Sequence, residues 1–175
     1  MSAETTNTIR VAVSFMILFF SILCHEFIAE PIIESYAKAY GDIDAHAGYR
    51  ALGIVYLFNT MSCVVAAPII DAITGKWAMV IGILTSIAFQ SIFLRINETV
   101  LYIAAAMMGL GTTLLWVGQG QYITQNCSDE NIEKNTAIQW ALFKLSLIFG
   151  GIFLVLFFGS TTMEEATQGN MASSF

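Results

Sequence analysis

Five apolar runs of about the length needed to cross a lipid bilayer constrain this 175-residue chain more than any other feature. A spanning helix needs about 20 mostly apolar residues. Windows of that kind fall at about 11–29, 51–70, 77–94, 100–118 and 137–158. Hydrophobic residues make up 57% of the chain and charged residues only 11%, whereas a soluble domain carries roughly 25% charged residues. We therefore predict an all-α fold, a polytopic bundle of membrane-spanning helices.

The predicted organisation is an N-terminal segment (1–10), a transmembrane domain (11–158) and a polar tail (159–175). The first apolar run lacks the small-residue cleavage pattern of a secretory signal, so we expect it to remain as a span. The basic residues are divided evenly between the two sides of the predicted bundle and leave its orientation open. We place the protein in the plasma membrane or an endomembrane.

Several classes of function are excluded or disfavoured by the pattern of charged and reactive residues. The net charge is −6 and no basic tract is present, so we expect no nucleic-acid partner. The pair His25-Glu26 begins like a zinc-protease motif, but the second histidine is replaced by Ala29, so no metal site is predicted. No nucleophile with a neighbouring base and no cofactor signature appears. An enzyme is therefore the least favoured class.

Small and polar side chains recur at helical spacing within each apolar run. One such stripe joins Ala105, Gly109 and Thr113, and small residues of this kind allow membrane helices to approach closely. Four amides lie in four different runs, and Trp116 shares a helix face with one of them. These candidates are Asn59, Gln90, Trp116, Gln119 and Gln139. Two explanations stay open: the amides pack between helices, or they line a hydrated cavity.

Lys144 lies about two turns into the last apolar run. An unpaired ammonium at the centre of a spanning helix costs roughly 2.5 to 3.5 kcal/mol on insertion scales, so the side chain needs relief. One alternative is that it extends toward the membrane surface over the indole of Trp140, one turn back. The other is that it faces a water-filled cavity and attracts an anionic group or a carboxylate such as Glu26 or Asp71.

Two further features lie near the ends of the predicted spans. Asn97 begins the pattern Asn-Glu-Thr and is a candidate glycosylation acceptor, although the short connection would hold it close to the membrane surface. Glu26, Glu30 and Glu34 follow one another at offsets of four and could form a column of carboxylates. We expect Pro31 to interrupt the helix there, which favours a solvated edge over a column.

Several motifs, taken together, resemble the uncoordinated (Unc) ion-channel regulatory proteins of the major facilitator superfamily. The similarity runs from about residue 25 to 158, and its order and spacing make it specific. The branch it most resembles is the domain-containing, Unc-like orphan subfamily. The matching segments are residues 48–49 (GY), Pro68, 75–79 (GKWAM), 109–111 (GLG), 115–120 (LWVGQG), 135–136 (NT), 139–142 (QWAL) and 149–150 (FG).

The resemblance implies a partial major-facilitator fold, five of an expected twelve transmembrane helices, with a cytosolic N-terminal segment. It also implies regulation of potassium channels or escort of receptors through endomembranes. The superfamily's loop motif survives only as Asp71, Gly75 and Lys76, with Ala72 where an arginine belongs. Relatives commonly carry a neutral amide at the position of Lys144. Both departures weaken the expectation of a shared transport cycle and ligand.

We expect a multi-pass membrane protein that regulates or escorts a channel or receptor in the bilayer. A solute carrier whose cavity is lined by Asn59, Gln90, Gln119 and Lys144 is the alternative, with a small solute as partner. Five spans followed by the polar tail do not complete a six-helix half. We therefore also expect a truncated product, an alternative transcript or an incomplete gene model; a truncated isoform without independent activity is the further alternative.

Overall fold

Four long helices make up the fold, with one short 3-10 turn. The structure is a computed structural model that describes the backbone of residues 3–172 and the side chains of residues 3–159. The four helices are long and apolar enough to cross a membrane, which confirms the predicted all-α membrane bundle. The elements are α1 (Ala3–Tyr40), α2 (Ala47–Ser91), the 3-10 turn (Ile92–Leu94), α3 (Glu98–Asn126) and α4 (Ile132–Ala172).

Helix α2 is folded back on itself and accounts for two of the predicted spans. Its 45 residues would extend about 67 Å at 1.5 Å per residue, more than twice the roughly 30 Å of bilayer hydrocarbon. Thr74 breaks it, with φ 69° and ψ 151°, a conformation that a threonine adopts only under strain. We call residues 47–73 the first limb and residues 75–91 the second limb. Thr74 lies inside the connection predicted at 71–76.

Helix α3 packs against both limbs, and its contacts establish that the limbs run in opposite directions. Along the first limb, contacts advance with α3: Asn59 meets Thr113 and Asp71 meets Gln121. Along the second limb they run backwards, because Gly75 lies against Gly118 whereas Gly82 lies against Gly111. The chain therefore crosses the bundle, turns at Thr74 and crosses back.

The predicted small-residue stripe of α3 lies in this interface. Ala105 and Thr113 are almost fully buried, and a side chain added at Gly109 would collide with the backbone of the first limb. The Thr113 hydroxyl contacts the Ser62 hydroxyl at 2.5 Å and donates to the Asn59 carbonyl at 2.9 Å. Close backbone approach and interhelical hydrogen bonds are the forces that associate helices in lipid.

Helix α1 packs mainly along α4, and the two helices run parallel. Near one end the Glu4 carboxylate accepts hydrogen bonds from Ser128 and Asn131, at 3.1 and 3.2 Å. Farther along, the Phe19 and Phe143 rings meet edge to face with centroids 4.9 Å apart. The start of α1, the Thr74 reversal and connection 127–131 thus share one end of the bundle. Connections 41–46 and 92–97 share the other end, where the Asp44 amide donates to Glu98.

The bounds of three helices differ from expectation. The predicted interruption at Pro31 is wrong, because α1 continues to Tyr40; membrane helices tolerate proline where neighbours compensate for the lost hydrogen bond. Helix α3 continues to Asn126, past the predicted end of its span at residue 118, so Gln119, Gln121 and Gln125 belong to the helix. Helix α4 starts at Ile132, before the predicted span 137–158, and its backbone stays helical to Ala172. The predicted polar tail is therefore helical over residues 159–172.

Candidate functional site

A cavity of about 240 Å3 lies where α1, the first limb of α2, α3 and α4 meet. Its walls are apolar and aromatic, and a few polar groups reach it. Clefts with this mixture are the usual places for small ligands in helix bundles. The polar residues that line the cavity are Glu26, Tyr56, Asn59 and Thr112, and the aromatic residues that line it besides Tyr56 are Phe19, Trp116 and Phe143.

Asn59 and Trp116 are the two predicted candidates that line this cavity. The Asn59 carbonyl accepts hydrogen bonds from Ser62 and Thr113, at 3.0 and 2.9 Å. These bonds fix the backbone of Asn59, while its side-chain amide forms no hydrogen bond with any described residue. The side-chain amide of Asn59 therefore lies at the cavity wall, and its hydrogen-bond donor and acceptor groups are unpaired among the described residues.

Trp116 is the centre of an aromatic cluster. Its ring lies 4.9 Å from that of Phe19 and 5.0 Å from that of Phe143, and it stacks on Trp140 at 5.6 Å with only 16° between the planes. Edge-to-face and offset-stacked pairs at such distances stabilise beyond the area they bury. The cluster therefore gives the cavity a rigid wall built from three helices.

Glu26 lines the cavity, and neither alternative weighed from the sequence describes it. The column of carboxylates, the less favoured alternative, does not form, because Glu26, Glu30 and Glu34 have different surroundings. Glu30 is buried and accepts the Tyr49 amide at 2.9 Å, which caps the start of α2. Glu34 is exposed and pairs with Lys38 at 2.6 Å. The expected solvated edge therefore fits Glu34 alone.

A signal for the cavity position of Glu26 is present in the sequence. Phe19, Ile22, Leu23 and Glu26 follow the offsets 0, 3, 4 and 7 of one helix face, and all four line the cavity. The three apolar members of that face resemble ordinary core residues. Only the polarity of its last member distinguishes the face from a packing surface.

Lys144 is exposed on α4. Its ammonium nitrogen lies 5.9 Å from the centre of the Trp140 ring and 5.4 Å from that of Phe143. Both distances lie within the range of cation–π attraction. Among the described side chains no carboxylate approaches it within ion-pair distance, so the suggested pairing with Glu26 or Asp71 is not formed.

The other three amides lie away from the cavity. Gln90 accepts a hydrogen bond from Ser21 at 3.1 Å, which joins the second limb to α1. Gln119 is buried beside α4, near Trp140. Gln139 is 2% exposed, and neither its amide oxygen nor its nitrogen has a hydrogen-bond partner in the described part of the chain. Of the four residues proposed to line a carrier cavity, only Asn59 lines the cavity observed here. The rotation of each helix about its own axis directs the other three side chains away from it.

The loop-motif remnant lies at the Thr74 reversal. Gln121 donates from its amide nitrogen to Asp71 at 3.2 Å. Gly75 packs so closely on α3 that an added side-chain carbon would lie 2.6 Å from the Gly118 carbonyl oxygen. Lys76 is exposed and borders a groove that it shares with Arg10. Gln121 therefore belongs to the contact between α3 and the reversal of α2.

Asn97 has a structural role. Its side-chain oxygen accepts the Val100 amide at 3.1 Å and caps the start of α3. Asparagine is among the best N-cap residues. The side chain is exposed, and its use as a glycosylation acceptor stays a prediction.

Comparisons with known proteins agree with the resemblance seen in the sequence. A family model described as "Ion channel regulatory protein UNC-93" matches residues 39–175. UNC93-like protein MFSD11 from Xenopus tropicalis is 28% identical over 156 residues, which cover 89% of this chain and 34% of that protein. UNC93-like protein 3 from Arabidopsis thaliana is 24% identical over 120 residues, 63% of this chain and 26% of that protein.

No solved structure matches the chain. The chain spans about a third of the length of the MFSD11 relatives that it matches. The family match covers well over half of the chain, and the described helices are of membrane-crossing length. The chain is therefore an integral, multi-pass membrane protein, and it belongs to the UNC-93 family of ion channel regulatory proteins.

Proposed function

We propose that this chain, as a multi-pass membrane protein without catalytic activity, binds a second membrane protein such as an ion channel and regulates or escorts it. The family description supports this function. The observation that carries it is the position of Lys144, a cation on the exposed face of a helix otherwise suited to lipid.

The surroundings of Lys144 are strongly apolar. Leu147 and Ile148, on the next turn of α4, are 42% and 55% exposed. Cation–π attraction at a desolvated site contributes about 2 kcal/mol, less than the roughly 2.5 to 3.5 kcal/mol that an ammonium costs at the centre of a spanning helix. A carboxylate on a partner helix would offset the difference. An ionisable residue inside a membrane is by default a candidate for a functional contact of this kind.

Co-expression with a potassium channel tests this function. We expect the chain to change the whole-cell current or the amount of channel at the surface, and Lys144→Gln to abolish the effect together with co-purification of the channel. Surface biotinylation distinguishes escort from regulation, since escort changes the surface amount and regulation changes the current per channel. Lys134→Gln is the matched control, because Lys134 is exposed on the same helix near its start.

Two results with these variants would count against a partner contact at Lys144. An unchanged current and unchanged co-purification with Lys144→Gln would contradict the proposed contact. Equal losses with Lys134→Gln and Lys144→Gln would attribute the effect to general loss of charge on α4.

Solute transport is the second candidate, and the cavity beside Asn59 favours it. Uptake into liposomes containing the purified protein tests this candidate. If Lys144→Gln changed the uptake of an anion while co-purification with the channel stayed intact, the carrier function would replace the regulatory one. Absence of flux from liposomes that contain folded protein would count against the carrier.

A further inference from the structure

The cavity that α1, the first limb of α2, α3 and α4 enclose has one carboxylate on its wall, that of Glu26. The Thr112 hydroxyl is already engaged, since it donates to the Met108 carbonyl at 2.8 Å. None of the described lysines, arginines or histidines lines the cavity. Its formal charge is therefore negative and is not neutralised from within its own wall.

Glu26 differs from the other glutamates of α1, because its carboxylate has no hydrogen-bond or ion-pair partner among the described residues. Glu30 accepts the Tyr49 amide, and Glu34 pairs with Lys38. Within the described residues the Glu26 carboxylate forms neither a hydrogen bond nor an ion pair. Ionisable groups at membrane depth almost always pair with one another or face a water-filled cavity that marks an ion or substrate pathway. Glu26 faces the cavity.

The aromatic wall beside this carboxylate is suited to a cation. The Phe143 ring stands at 88° to Phe19 and at 86° to Trp116, with centroids 4.9 and 5.0 Å away. A corner of perpendicular rings presents both faces and edges, and a ring face attracts cations whose centre lies within about 6 Å. The Lys144 nitrogen lies 5.4 Å from the centre of the same ring, but Lys144 is not among the residues that line the cavity.

The geometry points to a binding site for a small organic cation, a protonated or quaternary amine whose charge pairs with Glu26 and whose apolar body packs on Trp116 and its neighbours. The cavity of about 240 Å3 corresponds to the space of roughly eight waters at about 30 Å3 each. A compact amine fits such a volume. Asn59 and Tyr56 supply the polar groups that would orient it.

Other ligands suit the cavity less well. A hard metal cation such as Ca2+ takes six to eight oxygen ligands, whereas the wall here is mainly aromatic and offers one carboxylate. An anion would be repelled by the Glu26 carboxylate, and no cationic side chain among the described residues lines the wall to offset that repulsion. Binding of the amine needs no partner protein, so this site goes beyond the proposed regulatory function and does not depend on it.

Isothermal titration of the purified chain in detergent micelles tests the site with three probes of similar shape. The probes are 2-phenylethylammonium, the neutral 2-phenylethanol and the anionic phenylacetate. We expect saturable binding of the ammonium and at least about tenfold weaker binding of the other two probes, a discrimination of the size that one charged contact provides. This comparison uses the unaltered chain and does not depend on any variant being folded.

Two matched variants locate the site. Glu26→Gln should weaken binding of the ammonium at least about tenfold, whereas Glu34→Gln should leave it unchanged, because Glu34 lies on the same helix but outside the cavity. Equal binding of the charged and neutral probes, the absence of saturable binding, or equal effects of the two variants would overturn the proposal. Tighter binding of phenylacetate that Lys144→Gln abolished would also overturn it, in favour of an anion site.

Channel currents distinguish this inference from the proposed function. If the ammonium binds and Glu26→Gln weakens it while co-expressed channels are unaffected by the chain, the site stands and the regulatory function fails. If the currents respond but no probe binds, the regulatory function stands and the site fails.

Discussion

Replacement of Gly82 by alanine should destabilise the bundle at the contact between α3 and the second limb of α2. An added side-chain carbon at Gly82 would lie 2.6 Å from the Gly111 carbonyl oxygen and 2.7 Å from the Leu115 Cβ. Both neighbours are attached directly to the backbone of α3, so neither can rotate away. The helices must separate by about 0.8 Å to restore an ordinary contact of 3.4 Å.

The expected loss of stability in Gly82→Ala follows from the cost of overpacking at a contact between helices. Overfilling a packed interior costs typically about 1 to 3 kcal/mol, and helices in lipid depend on close packing for association because no hydrophobic force drives them together. Alanine also gains about 1 kcal/mol of helix propensity over glycine. Gly53→Ala cancels this gain as a control, since Gly53 lies in the first limb and a side chain added there meets nothing within 4 Å.

Thermal unfolding in detergent, followed by loss of the monodisperse size-exclusion peak, compares the two variants. We expect Gly82→Ala to unfold roughly 2 to 12 °C below Gly53→Ala, at about 2 to 4 °C per kcal/mol for a chain of this size. A midpoint for Gly82→Ala equal to or above that of Gly53→Ala would refute the close approach of α3 to the second limb.

Three further predictions concern hydrogen bonds at helix ends and between helices. Glu30→Ala should speed hydrogen exchange in the first turn of α2, because it removes the oxygen that accepts the Tyr49 amide and a capping group contributes about 0.5 to 2 kcal/mol; unchanged exchange would contradict the cap. The double-mutant cycle of Ser62→Ala and Thr113→Val should give a coupling energy of about 0.6 to 1.7 kcal/mol in thermal unfolding, and additive effects would contradict their contact. Asn97→Asp should retain the cap of α3 while it removes the glycosylation acceptor. A glycosidase-sensitive mass present in the parent and lost in this variant would establish the modification, whereas a mass that is the same in both would exclude it.

The sequence allowed the packing stripe of α3 to be identified, but not the partners of the polar side chains. Glycine, alanine and threonine at helical spacing predict close approach in any membrane bundle, so Ala105, Gly109 and Thr113 could be assigned to an interface without knowledge of their neighbours. Gln90 offers no such signal. An amide in a span can bond to another helix or to water, and only the fold pairs it with Ser21.

The site residues show the same division. Asn59 and Trp116 are candidates from the sequence for either a packing surface or a cavity wall, and in the structure both line the cavity. The sequence places Glu26 at a cavity only as one suggested partner of Lys144, and its position near the end of the span favours a solvated edge instead. Lys144 was given two alternatives, and its position over Phe143 and Trp140 follows from the packing of α4.

Sequence alone determined that this chain crosses a membrane as helices, because lipid offers no hydrogen-bond partners and apolar segments must satisfy their backbone internally. It also determined which helix faces carry small residues. Only the tertiary structure decided that α3 packs against both limbs of α2, that α1 runs parallel to α4, and that Glu26 faces an aromatic cavity rather than the membrane surface. These outcomes depend on how side chains far apart in sequence interlock, which sets the rotation of every helix against its neighbours and which a periodic pattern within one helix does not contain.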